Sequence, residues 1–114
     1  MKEGYIYLIV EWGSNPEKYK IGISKNNPTF RLKSHQTSNP NELVLTRKYL
    51  SEYYHHIEAT MKREYSKYSL EGGTEWFQLP TDIATNFISE CQRIESTFSY
   101  MSKHNYFFNK KGVV

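Results

Sequence analysis

The chain has one cysteine, Cys91, in 114 residues. A single thiol excludes an internal disulfide and leaves no cysteine-based zinc cluster to look for. No apolar run approaches the ~20 residues that a bilayer-spanning helix needs. No leader with an apolar h-region precedes Gly4, so a soluble, cytoplasmic protein without membrane contact is expected. Internal repeats and low-complexity segments are also missing. At this length one domain with a single modest core is expected.

Aromatic residues make up 16% of the chain, and ten of them are tyrosines. Such rings fill cores, but they also stack on bases and present hydroxyls, so their number alone decides nothing. Net charge is only +3, yet it is unevenly spread. Between Pro16 and Lys48 stand Lys18, Lys20, Lys25, Arg31, Lys33, Arg47 and Lys48 against Glu17 and Glu42. The rest of the chain is therefore slightly acidic. A basic third on a balanced protein fits a polyanion-facing surface, and it also fits an ordinary solvated lysine face.

Residues 4–12 carry apolar side chains on both faces, with Tyr5, Tyr7 and Ile9 on one and Ile6, Leu8 and Val10 on the other. A strand of this kind is covered on both sides. The turn-rich "GSNPE" at 13–17 leads into "KYKIGIS" at 18–24, where Tyr19, Ile21 and Ile23 alternate with Lys18, Lys20, Gly22 and Ser24. Together they predict an antiparallel hairpin. Asn27 before Pro28 predicts a helix start, which places Arg31 and His35 one turn apart on one face. "LVLTRKYL" at 43–50 predicts a third strand. Tyr54, Ile57, Met61, Tyr65 and Tyr68 recur at helical spacing, and "EWFQL" at 75–79 is a short extended piece.

A last helix is predicted from about Asp82, with Ala84, Phe87, Cys91, Ile94, Phe98 and Met101 forming a narrow apolar seam. The seam packs on the sheet or forms a homodimer contact. The fold class expected is α+β: a three-stranded antiparallel sheet flanked by helices, with residues 1–80 as core. Residues 81–114, the added C-terminal helix and a basic, aromatic tail, are expected to pack on the same domain.

A few residues resist a bland account. Glu58 falls within the helical apolar stripe, where a carboxylate is costly unless paired, hydrogen-bonded or metal-bound. It is a metal ligand or an edge residue bonded to a neighbour. Arg31 and His35 are an exposed basic helix edge or a phosphate-binding pair. Lys20 is solvated, as strand lysines usually are, or belongs to a site. Gly22 on the same strand face marks a bulge or tight packing, or else close approach of a ligand to the backbone. Trp76 and Phe77 are simplest as core. Tyr53, His55 and His56 lack a second carboxylate or cysteine at ligand spacing, so the histidines belong to the surface.

The ordered set "IYLI" at 6–9, "YKIG" at 19–22, "RLKSH" at 31–35, the helical Glu58 and "EWF" at 75–77 resembles the GIY-YIG nuclease superfamily, in its T5orf172-like branch. The resemblance runs from Gly4 to about Leu79. Lys20 stands where the second name-giving tyrosine would be, a variant that the T5orf172-like branch shares. The asparagine of some members has no counterpart here except Asn86.

The resemblance implies a metal-dependent endonuclease acting on nucleic acid, DNA in preference to RNA, with one Mg²⁺ or Mn²⁺ per site. It implies that Tyr7, Lys20, Arg31, His35 and Glu58 are catalytic, with Glu58 as metal ligand. Gly22, Lys18, Lys25 and Lys33 would contact phosphate or nucleic acid. A free phenol has a pKa near ~10, and a nearby cation favours its phenolate. Tyr7 would therefore serve as base or relay only if Lys20 shares its sheet face. Alternatives on the same scaffold are a non-cleaving nucleic-acid-binding module and a phage or bacterial protein-interaction factor.

Overall fold

A computed structural model of the chain describes residues 2–13, 16–29, 32–33, 36, 41–70 and 76–104. The hairpin forms as expected from strands β1 (Gly4–Glu11) and β2 (Lys18–Ser24), and β3 (Leu43–Ser51) lies on the other side of β1. The sheet has four strands rather than three, in the order β3-β1-β2-β4, all neighbours antiparallel. The extra strand is β4, Trp76–Phe77, which pairs with Tyr19 and Lys20 of β2. It forms because the chain folds back on itself: the Leu70 amide donates to the Trp76 carbonyl and the Gln78 amide to the Tyr68 carbonyl. Two residues carry no readable alternation, so their pairing depends on that local return.

Helix α1 (Tyr54–Glu64) follows the third strand, ahead of one 3₁₀ turn at Ser66–Tyr68. The single helix expected from Asp82 is instead two, α2 (Thr81–Thr85) and α3 (Phe87–His104). They break at Asn86, whose amide donates to the Asp82 carbonyl while its own carbonyl accepts from Glu90. Residues 105–114, the expected tail, lie outside the described residues.

Strand β1 is buried on both faces because each face meets a different layer. Ile6, Leu8 and Val10 join Tyr19 and Ile21 against Ile57 and Met61 of α1. The seam of α2 and α3 enters the same cluster through Ala84, Phe87, Cys91 and Ile94, with Phe98 packed at its border. So the first half of the seam is spent on the core. Gly4 sits on this face too, and its missing side chain admits the Tyr54 ring. Two hydrogen bonds fasten α3 across the layer, Tyr49 hydroxyl to Glu95 carboxylate at 2.6 Å and Tyr53 with Ser102 at 3.0 Å. The opposite face buries a smaller cluster of Tyr7, Ile9 and Leu43, with Leu32, Leu45 and Trp76 against it.

Candidate nuclease site

The site is set by strand register. Tyr7 lies opposite Gly22 of β2 and opposite Lys48 of β3. Lys20 lies opposite Ile9, two residues along from Tyr7. Residues directly opposite in an antiparallel pair point to the same face, so Tyr7, Lys20 and Lys48 share one. Tyr7 and Lys20 are diagonal neighbours, which meets the condition for a cation beside the phenol.

Tyr7 is 1% exposed, and its ring runs over Gly22. A Cβ at position 22 would fall 2.5 Å from Tyr7 Cζ and nearer still to the hydroxyl. Of the alternatives for Gly22, tight packing therefore describes its side-chain space, which the phenol occupies. Lys20 is not a solvated strand lysine. It is 4% exposed, with its ammonium 5.8 Å over the Trp76 ring. Trp76 is thus a lid on Lys20 as well as a core residue, a cation–π placement that stabilises a desolvated ammonium.

The start expected at Asn27 is present: its side-chain oxygen accepts from the Thr29 amide at 3.1 Å, and the Leu32 amide donates to Pro28. Gln36 then ties this turn to β3, accepting from the Leu43 amide at 2.7 Å and donating to the Asn41 carbonyl. Those bonds hold the turn across the Tyr7 face, with Leu32 against Tyr7, Ile9 and Leu43. Arg31 and His35 belong to this segment but lie outside the described residues. Lys33 and Lys25 are exposed nearby, and Lys18 is exposed at the far end of β2, opposite Glu11.

Glu58 comes from the other layer. The buried stripe of α1 packs against the Ile6 and Leu8 face, whereas Tyr7 and Lys20 point the opposite way. The Glu58 side chain is 17% exposed, and its carboxylate meets the Lys62 ammonium at 3.2 Å. This neighbour neutralises it, as an edge residue of the stripe would require. Beyond Lys20 the outer edge of β2 has no strand partner among the described residues.

The paired histidines stay apart from this arrangement. His56 stacks on Phe98 at 4.7 Å between ring centres, and burial together with the His55 charge lowers its pKa. His55 is exposed beside the Tyr54 ring. No group of three or more His, Cys, Asp or Glu suited to a metal occurs among the described residues. Lys48 and Lys62 are the charged neighbours that sequence reading passed over. Lys62 had a usable signal, the i,i+4 step from Glu58. Lys48 had none, because its position opposite Tyr7 depends on the shift in β1–β3 register between Leu8 and Ile9.

A hairpin bearing this tyrosine, glycine and lysine, backed by helices, defines a small α+β module. The chain matches the T5orf172 domain over residues 4–95 and belongs to that family, a GIY-YIG-like, nuclease-associated one. The match runs past Leu79 and takes in α2 and the first half of α3, the part that completes the core. No match to the chain was found among curated proteins or among solved structures. Among the described residues, no helix is long and apolar enough to cross a membrane.

Proposed function

We propose that this chain is a metal-dependent endonuclease that hydrolyses phosphodiester bonds of nucleic acid, DNA in preference to RNA. The observation that carries the proposal is Tyr7, buried opposite Gly22 with Lys20 on the same sheet face. In hydrolysis a water attacks phosphorus, the P–O3′ bond breaks, and the water's proton must leave. Tyr7 takes that proton as phenolate, or relays it to His35. Burial of Tyr7 disfavours the anionic phenol, and the Lys20 ammonium on the same sheet face works against that cost. Arg31 holds two oxygens of the scissile phosphate in its planar fork while charge builds on them.

Glu58 is the residue that would hold Mg²⁺ or Mn²⁺. Its donor set is a single carboxylate already neighboured by Lys62, which fits an ion that keeps most of its waters and borrows phosphate oxygens. When bound, the ion supplies Lewis-acid stabilisation of the leaving 3′ oxygen. Such a site is weak without nucleic acid.

The placement of Glu58 on the layer opposite Tyr7 favours one competitor, a module that binds nucleic acid without cutting it. Supercoiled plasmid, duplex and single-strand substrates, each with Mg²⁺, Mn²⁺ or EDTA, separate the two. EDTA-sensitive products are expected, and binding without any product would establish the competitor.

A further inference from the structure

The face that carries Tyr7 is covered unevenly. Toward Ile9 and Leu43 it lies under Leu32 and Trp76. Toward the start of β1 the face is more open among the described residues: Tyr5 and Ser24 are half-buried, Lys48 is exposed, and Leu50 is 48% exposed. Register places these residues side by side, with Tyr5 opposite Ser24 and Leu50, one pleat from Tyr7 opposite Lys48. Two residues along a strand span about 6.8 Å, so the open patch adjoins the buried phenol.

Within the patch the Lys48 ammonium stands 5.7 Å over the Tyr5 ring. Lys48 makes no ion pair among the described residues, so its charge is available to an incoming anion. The other charges on this face are Lys18, Lys20 and, at the opposite end of β1, Glu11, while Glu3 and Glu52 line a hollow beside Leu50 at the Tyr5 end. Glu11 is itself bonded by the Asn41 side chain at 3.2 Å. Lys48 is the cation that stands directly over the Tyr5 ring. A half-exposed aromatic beside an unpaired lysine is the combination that receives a nucleotide whose base is free to stack, with its phosphate on the ammonium.

We infer that Tyr5 and Lys48 form a contact strip for single-stranded or locally unpaired nucleic acid leading into the Tyr7 site, Lys48 on a phosphate and Tyr5 under a base. The inference rests on the chain binding nucleic acid at the Tyr7 face, and it gives Tyr5 a role that sequence reading assigned to packing. It also names the form of substrate, because bases inside a continuous duplex cannot stack on Tyr5.

The test measures fluorescence anisotropy of a labelled single-strand DNA and its duplex with the full chain in EDTA, from 50 to 200 mM salt. Lys48→Gln is expected to weaken single-strand binding and reduce the salt slope by about 0.7, the loss of one phosphate contact. Tyr5→Leu is expected to weaken it at least about 5-fold, while Tyr5→Phe, which keeps the ring, stays near wild type. Arg63→Gln, an equal charge change on the opposite layer, is expected to leave the slope unaltered.

Wild-type binding with an unchanged slope in Lys48→Gln would overturn the inference and leave the nuclease proposal standing. So would an equal loss in Arg63→Gln, or duplex bound as tightly as single strand with Tyr5→Leu unaffected. Absence of any nucleic-acid binding by the wild type would overturn both together.

Discussion

Alanine at position 22 probes the packing on which the proposed site depends. Among the described residues the glycine with positive φ is Gly13, so the backbone at Gly22 accepts an L side chain without strain. In open space the change would stabilise a strand interior by about 0.5–1 kcal/mol. Here the new Cβ would sit 2.5 Å from Tyr7 Cζ, and that ring is packed with Ile9 and Leu43 at 1% exposure. The phenol must leave its place, and overpacking of this kind costs about 1–3 kcal/mol.

In a Tyr7→Leu background the obstruction is gone and the intrinsic gain should return. Urea unfolding of the wild type, both single variants and the double variant should therefore give a coupling of about 1.5–4 kcal/mol. Each kcal/mol also lowers the melting temperature by about 4 °C or more in a domain of this size. Cleavage by Gly22→Ala should fall with the displaced phenol. Coupling within about 0.5 kcal/mol of zero would show that Tyr7 does not lie on Gly22.

Other variants and conditions test other parts of the account. Glu58→Ala should abolish Mg²⁺-dependent cleavage and keep the circular dichroism of the wild type; undiminished cleavage would remove Glu58 from the site. Tyr53→Phe removes a buried hydrogen bond to Ser102 and should cost about 1 kcal/mol in urea unfolding. Burial pushes the Cys91 thiol and the Tyr49 and Tyr65 phenols up, with neighbouring glutamates adding to each. The native state then holds protons that the unfolded chain releases, so stability is full at neutral pH and declines as pH rises above about 9. Denaturation midpoints measured from pH 7 to pH 10.5 should show that decline, and a flat profile would contradict it.

The hairpin, the third strand and the helical stripe were legible because each has a clean period and a turn signal. Tyr7, Lys20 and Gly22 could be picked out for the same reason, and the family resemblance supplied their order. What alternation cannot supply is register. That Tyr7 meets Gly22, and that Lys48 rather than Arg47 shares its face, depends on inter-strand pairing and on one irregularity in β1–β3. The burial of Lys20 was hidden for a related reason. Its cover is Trp76, more than fifty residues away, on a strand too short to show a pattern. Asn86 divides the last helix because its backbone leaves helical angles, at φ −92° and ψ 16°, a departure that apolar spacing alone does not register.

The seam of the last helices illustrates the limit of a one-dimensional stripe. Its spacing fits a core and a dimer contact equally, and only the packing of Phe87, Cys91 and Ile94 against β1 and α1 shows how its first half is used. Tyr5 is the converse case. An aromatic in a strand flanked by apolar residues reads as packing, yet it is only half-buried and stands outside the cluster that covers Tyr7.

The central claim is that the Tyr7 phenol handles the proton of the attacking water. Single-turnover cleavage of a labelled single-strand DNA with Mg²⁺, comparing wild type with Tyr7→Phe at enzyme concentrations that saturate binding, tests it most directly. The account predicts EDTA-sensitive cleavage by the wild type and loss of at least about 100-fold in rate for Tyr7→Phe at unchanged affinity. Equal rates for the two proteins would contradict it.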